Sequence, residues 1–259
     1  MGPTIDFAAQ LARDAGKILL SYFNPRGINS SLKKDHTVVT EADLASNDYI
    51  CKSIKQEFPK DGILTEEGNT IFPETKYVWI IDPLDGTTNF SLGLHYWGVS
   101  ISRFKDGFPE LTAQFFPLIN ELFTGELGLG STLNGQKLKV NQLKINSPSS
   151  FFACCSRTHK YYDIKIPYKT RILGSATYGL STVAKGSAKL AFEVTPKIWD
   201  FAGSWLITKE AGGVIGTLNN YEPFPLLPGT DYLSVSYPIL VGVSMDEWMF
   251  GKSKIKKKP

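Results

Sequence analysis

The chain runs to 259 residues, 42% hydrophobic and 20% charged, with a formal net charge of +3. That is enough to bury a large core in one big domain or two small interlocked ones, and 23 Gly with 15 Pro exclude collagen-like and disordered classes. Lys252, Lys254, Lys256, Lys257 and Lys258 crowd the C-terminus, and without them the charge falls from +3 to −2. The body therefore lacks the basic face of a nucleic-acid binder, and the tail is expected to be a solvated terminus.

The N-terminus, MGPTIDFAAQLARD, places charges where the apolar stretch of a signal peptide would lie. Residues 4–23 instead carry Ile5, Ala8, Leu11, Ala15, Ile18, Leu19 and Tyr22 at helical spacing. This predicts an amphipathic helix, stopped by Asn24-Pro25 and Gly27. Residues 30–40, with Lys33 and Lys34, read as a polar loop. A second helix is expected over 41–58, with Ala45, Tyr49, Ile54 and Phe58 on one side and Pro59 and Gly62 ending it.

Strands are expected at 63–65, 77–81, 96–104, 111–116 and 121–125. The second of these is apolar throughout, as in a strand covered on both faces. Leu133-Asn134-Gly135-Gln136 is a hairpin signal, because Asn-Gly accepts the positive φ values of a type I′ turn. The cluster Asn146-Ser147-Pro148-Ser149-Ser150 marks an expected boundary between an N-terminal α+β unit, 1–148, and a C-terminal α/β unit, 149–259. Beyond it, strands at 151–155, 171–173, 214–217 and 239–243 mix with helices near 176–185 and 199–211. Regular βαβ alternation is missing, so an α+β fold is favoured over a doubly wound sheet.

No apolar run approaches the roughly 18 residues of a membrane span, and a soluble, cytoplasmic protein without a membrane partner is expected. Cys51, Cys154 and Cys155 have neither a disulfide pattern nor metal-ligand spacing. Asn29-Ser30-Ser31 and Asn89-Phe90-Ser91 match the glycosylation pattern, which means nothing without a signal peptide.

The informative segment is IDPLDGTTNF, residues 81–90, directly after the apolar strand. Asp82 and Asp85 lie three apart, Pro83 pins the turn between them, and Gly86 permits a tight bend before Thr87-Thr88. Carboxylate oxygens suit a hard divalent cation, and the free N–H groups of a starting helix suit a phosphate. The plainer reading is a surface turn, since all these residues are turn formers. Further acids at three other places weigh against it. Glu66-Glu67 follows a second strand, Asp200 opens an apolar helix, and Asp43 sits in the first turn of another. Taken singly, Asp200 reads as a helix N-cap and Asp43 as an acid favouring the helix dipole.

Together, TEEG (65–68), DPLDGTTNF (82–90) and WDFAGSWLITKEAGG (199–213), in that order, resemble the signature blocks of the inositol monophosphatase family of metal-dependent phosphatases. The likeness runs from the first helix to about Trp248. It implies a layered α/β/α/β/α sandwich and two or three Mg²⁺ per site. One would be held by Glu66, Asp82 and the Leu84 carbonyl, a second by Asp82, Asp85 and Asp200, and a third, weaker one near Glu66. It further implies that Thr87, supported by Asp43, orients an attacking water while the metals activate it and stabilise the leaving alkoxide. Gly86 and Thr87 N–H groups would bind phosphate; Gly174, Ser175 and Ala176 would face the substrate. Glu193 would accept hydrogen bonds from inositol hydroxyls, a task suited to a group that only accepts; its plainer reading is a solvated charge on a strand.

The resemblance thus implies a phosphomonoesterase acting on inositol 1-phosphate and related small phosphate esters, a homodimer, and inhibition by Li⁺. Histidinol phosphate, fructose 1,6-bisphosphate and adenosine 3′,5′-bisphosphate are rival substrates on the same core. A bisphosphate would need a second cationic site, for which Lys185 or Lys189 are candidates. Glu67, Lys33 and Lys34 take no defined role. A non-catalytic protein on the same fold would be expected to have lost one of Glu66, Asp82, Asp85, Thr87 or Asp200, and all are present. The glycines of 125–132 mimic a phosphate loop without its lysine and read as a sheet edge.

Overall fold

Ile5, Ala8, Leu11, Ala12, Ala15 and Leu19 form one buried stripe, and Asp6, Gln10 and Lys17 stay exposed between them, so the first twenty described residues close into a helix, α1 (Pro3–Tyr22). The computed structural model describes residues 3–32, 38–140 and 150–259. After α1 come a short ribbon, β1 (Ser31–Leu32) and β2 (Val38–Val39), and then α2 (Glu41–Glu57). The predicted face of α2 is half right: Ile54 is buried and Phe58 packs against the core. Its buried side is Ala42, Asp43, Ser46, Asn47, Ile50 and Ile54, whereas Tyr49 is exposed. The helix buries polar groups because it backs onto the acidic strand end rather than onto a purely apolar layer.

A seven-stranded sheet follows in sequence order: β3 (Gly62–Thr65), β4 (Tyr77–Asp85), β5 (Gly98–Lys105), β6 (Phe108–Phe116), β7 (Glu121–Glu126), β8 (Gly130–Leu133) and β9 (Gln136–Lys137). Only β3 and β4 pair in parallel. A short helix, α3 (Thr87–Ser91), leaves the end of β4. The β8–β9 turn has Asn134 and Gly135 both at positive φ, as Asn-Gly predicts.

The second sheet has the order β12-β10-β13-β15-β14 and is built from β10 (Phe151–Cys154), β12 (Lys169–Arg171), β13 (Ala188–Glu193), β14 (Val214–Thr217) and β15 (Ile239–Gly242). Between its strands run α4 (Thr158–Tyr161), β11 (Tyr162–Ile164), α5 (Ala176–Lys185) and α6 (Ile198–Glu210). Helices α1 and α2 cover the outer face of the first sheet, α5 and α6 fill the space between the sheets, and α7 (Met245–Lys254) packs on the second. The result is the α/β/α/β/α layering. Trp199, Phe201, Ala202, Trp205 and Ile207 of α6 share one core cluster with Ile80, Phe104 and Phe123 of the first sheet and Ala191, Ile215 and Val241 of the second.

Helix α7 was not expected, β13 was anticipated only in the plainer reading of Glu193, and the tail is not the solvated terminus that its lysines suggest. Ile255–Lys257 forms β16, antiparallel to β11, with Ile255 buried against Leu190, Tyr162 and Trp248. The expected boundary at 146–150 lies, Ser150 excepted, outside the described residues. No helix among the described residues is long and apolar enough to cross a membrane.

Candidate active site

In an unbroken strand, Asp82 and Asp85 would point to opposite faces, because side chains alternate with a period of two. The ladder to β5 corrects this. Asp82 pairs with Ser100 and Asp85 with Gly98, so three steps on β4 match two on β5 and the register shifts between them. One extra residue at Pro83-Leu84 is a bulge, and it returns both acids to the same side. Proline is tolerated there because no ladder donor is needed. Ser46 of α2 fastens the bulge by donating to the Pro83 carbonyl at 2.8 Å.

The parallel pairing of β3 with β4 brings the next acid alongside: the Glu66 N–H donates to the Ile81 carbonyl at 3.2 Å. From the other side α6 presents Asp200 in its first turn. Asp200 is not the N-cap expected from the sequence. The cap is Lys197, and Asp200 Oδ2 accepts its backbone N–H at 2.7 Å. Carboxylate oxygens of Glu66, Asp82 and Asp200 all lie within 4.8 Å of one another.

Such crowding carries a cost. Burial pushes Asp82 and Asp200 well above the usual carboxylate range, and the neighbouring charges of Glu66 and Asp85 add to it. Asp85 is raised to about 6 by burial, although the Ser175 hydroxyl and the N–H groups of Thr177 and Ala176 hold it back. A closely packed, all-oxygen donor set of this kind fits a hard divalent cation, which would offset the repulsion.

Beside the acids, Thr87 Oγ1 lies 3.0 Å from both Asp43 Oδ1 and the Leu84 carbonyl. Asp43 itself is fixed by Thr40, whose N–H and hydroxyl donate to Oδ2 at 2.8 and 2.6 Å. Burial raises Asp43, and the Thr40 bonds oppose the rise. Gly86 caps α3 at φ +87°, and a side chain there would strike the Tyr96 carbonyl.

Gly174, Ser175 and Ala176 do line the same pocket, with Gly86, Thr87 and Glu193. The Ser175 hydroxyl, however, donates to Asp85 and also accepts the Tyr178 N–H as the cap of α5. Asn89, part of a glycosylation pattern, is buried and ties the two halves of the pocket by donating to the Tyr96 and Leu173 carbonyls at 2.7 and 2.8 Å. Glu193 is a buried acid, not a solvated one: it is 8% exposed and pushed well up by burial, with Cys155 beside it.

Neither lysine proposed for a second cationic site reaches the pocket. Lys185 pairs with Glu121, and the Lys189 ammonium lies over the Tyr168 ring. Lys33 and Lys34 lie outside the described residues, and Glu67 is not among the pocket-lining residues. Two cations that sequence reasoning missed do line it, Arg157 and Lys197. Arg157 follows the end of β10, and a strand end was the signal that could have found it. The glycine-rich turn at 127–129 receives an internal anion: Glu210 accepts the Gly128 and Gly130 N–H groups, each at 2.9 Å.

A model of the inositol monophosphatase family matches residues 1–238. A protein named histidinol-phosphatase from Chlorobaculum parvum is 34% identical over 224 residues, covering 82% of this chain and 85% of its own. The Nus factor SuhB of Escherichia coli K12 is 34% identical over 227 residues, covering 83% and 85%. Among solved structures, an IMPase from Thermotoga maritima superposes with a TM-score of 0.79 at 26% identity, covering 97% of each chain.

Proposed function

The chain belongs to the inositol monophosphatase family, and from that premise we propose that it is a Mg²⁺-dependent phosphomonoesterase acting on inositol 1-phosphate and related polyol and sugar phosphates. The observation that carries this reading is the close approach of Glu66, Asp82 and Asp200 beside a threonine–aspartate pair. Two or three Mg²⁺ held by Glu66, Asp82, Asp85, Asp200 and the Leu84 carbonyl would supply an activated water and offset the charge of the phosphate and leaving oxygen.

The chain's own groups do the rest. Thr87 has one hydroxyl proton and two acceptors within reach, Asp43 Oδ1 and the Leu84 carbonyl. With its proton given to Asp43, Thr87 Oγ1 is left to accept a hydrogen bond from the attacking water, and a cation held at the Leu84 carbonyl would favour that choice. Backbone N–H groups of Gly86 and Thr87 hold phosphate oxygens at the start of α3. Glu193, on the far wall, accepts from substrate hydroxyls. Because a carboxylate would also receive an ammonium group, and because a histidinol-phosphatase is among the relatives, histidinol phosphate is the second reading. A homodimer and inhibition by Li⁺ belong to the same proposal.

The test is phosphate release with Mg²⁺ from inositol 1-phosphate, histidinol phosphate, fructose 1,6-bisphosphate and adenosine 3′,5′-bisphosphate, with EDTA controls. We expect release that EDTA abolishes and that Asp82→Asn lowers on the order of a thousandfold, since several kcal/mol of charge stabilisation are lost. Turnover by Asp82→Asn close to that of the wild type would sink the metal assignment. No release from any ester would sink the enzyme reading itself.

A further inference from the structure

A second cavity adjoins the candidate active site without sharing its chemistry. Glu193, the last residue of β13, lines the first; Val194 lines the second, and Thr195 lines both. The second cavity has a volume of about 480 Å³, within the size range of small-molecule sites. The ribbon of β11 and β16 forms part of its wall. Tyr162 stands directly opposite Lys257 in that ribbon, so the two side chains leave the same face. Tyr162 is fixed edge-on against Phe192, with ring centroids 5.1 Å apart, whereas Tyr161 at the same cavity is 42% exposed. Leu218 and Pro238 supply further apolar wall, tied together by the Leu218 N–H donating to the Pro238 carbonyl at 2.7 Å.

The charge of this cavity is the reverse of its neighbour's. Four acids line the active-site pocket: Glu66, Asp85, Glu193 and Asp200. Among the described residues no acid lines the second cavity, and its one charged residue is Lys257. Other lysines of the tail are engaged. Lys258 reaches Asp163 at 3.9 Å and the His159 carbonyl at 2.7 Å, and Lys252 donates to Asn220. Lys257 makes no ion pair among the described residues. Asn219 accepts the Tyr221 N–H through Oδ1 at 3.4 Å, which leaves its amide hydrogens as neutral donors at the same cavity. An ammonium beside aromatic and aliphatic walls, with no carboxylate to neutralise it, complements an anion that has a flat apolar body.

We propose that this cavity is a binding site for a small aromatic monoanion, an aryl carboxylate or sulfonate, with its ring against Tyr161 and Leu218 and its charge on Lys257. The site is separate from the one that holds phosphate, so the two ligands do not compete.

Equilibrium dialysis of the full chain with 1-naphthoate and its neutral isostere 1-naphthamide tests it, and needs no turnover. Naphthoate should bind at one per chain and about fivefold more tightly than naphthamide, the scale of an ion pair at a solvent-accessible lysine. Lys257→Gln should bring naphthoate down to the naphthamide level and leave naphthamide unchanged, which also shows that the variant is folded. Ser236→Trp, at an exposed position on the lining, should fill the space and weaken both ligands at least about tenfold. Inorganic phosphate with Mg²⁺ should displace neither. Naphthoate binding that Lys257→Gln leaves intact overturns the proposal, as does full binding by Ser236→Trp. Displacement by phosphate would place the naphthoate in the active-site pocket and overturn it too, and so would a wild-type chain that binds neither compound.

Discussion

Thr87 has one proton to give, and its surroundings decide where it goes. Its hydroxyl is equidistant from a carboxylate oxygen and a backbone carbonyl, at 3.0 Å from each, so it cannot satisfy both. Asp43, already accepting two bonds from Thr40, cannot swing to meet a different partner. If Thr87 orients the attacking water, the hydroxyl matters and the methyl does not. Thr87→Val should therefore lower kcat by about a hundredfold or more, the usual worth of a positioned proton acceptor, with little change in KM. Thr87→Ser should stay within about tenfold of the wild type. Steady-state kinetics on inositol 1-phosphate decide it, and a Thr87→Val enzyme with near-normal kcat would remove the residue from the mechanism.

The elements differ in how openly their sequences announced them. VIGT at 214–217 and the helix at 176–185 match their predicted spans, because an apolar period or a cap pair is a local signal. The acids of 82–85 were legible as a motif. Their shared direction was not, since it depends on register against Gly98 and Ser100 of a neighbouring strand. Arg157 was missed because Ser156-Arg157-Thr158 has no period of its own and becomes meaningful only where Thr195 and Glu193 meet it. The C-terminal strand was misread for a compositional reason: five lysines outweigh one isoleucine in any average, yet Ile255 is 4% exposed and decides the packing. Ile255→Ala should accordingly cost about 2–4 kcal/mol in denaturant unfolding, as for a large-to-small core change. A loss below about 0.5 kcal/mol would show the ribbon to be dispensable.

Across the whole molecule the acidic cluster is a joint as well as a site. Asp82 and Asp85 end a strand of the first sheet, Asp200 opens the central helix α6, and Asp85 also receives the first N–H groups of α5. A metal held by these carboxylates would therefore be linked to the cohesion of the layers. Without a cation, Asp82, Asp85 and Asp200 have folded pKa values raised above those of the unfolded chain, Asp85 to about 6 and the other two well above the usual carboxylate range. The folded state then binds more protons than the unfolded one, so stability is greatest below the unfolded carboxylate range, near 4, and declines as pH rises through about 6 and beyond. A divalent cation competes with those protons and removes the penalty where it is largest. The increase in Tm between EDTA-treated and Mg²⁺-loaded protein should thus grow from pH 5 to pH 8 by at least about 3 °C. Taking the difference at each pH largely cancels the titration of groups remote from the site. Asp82→Asn, which replaces a buried charge with a neutral isostere, should flatten the dependence and raise the Tm of the metal-free protein at pH 8. An Mg²⁺ increment that is the same at both pH values would mean that these acids are not the cation's ligands.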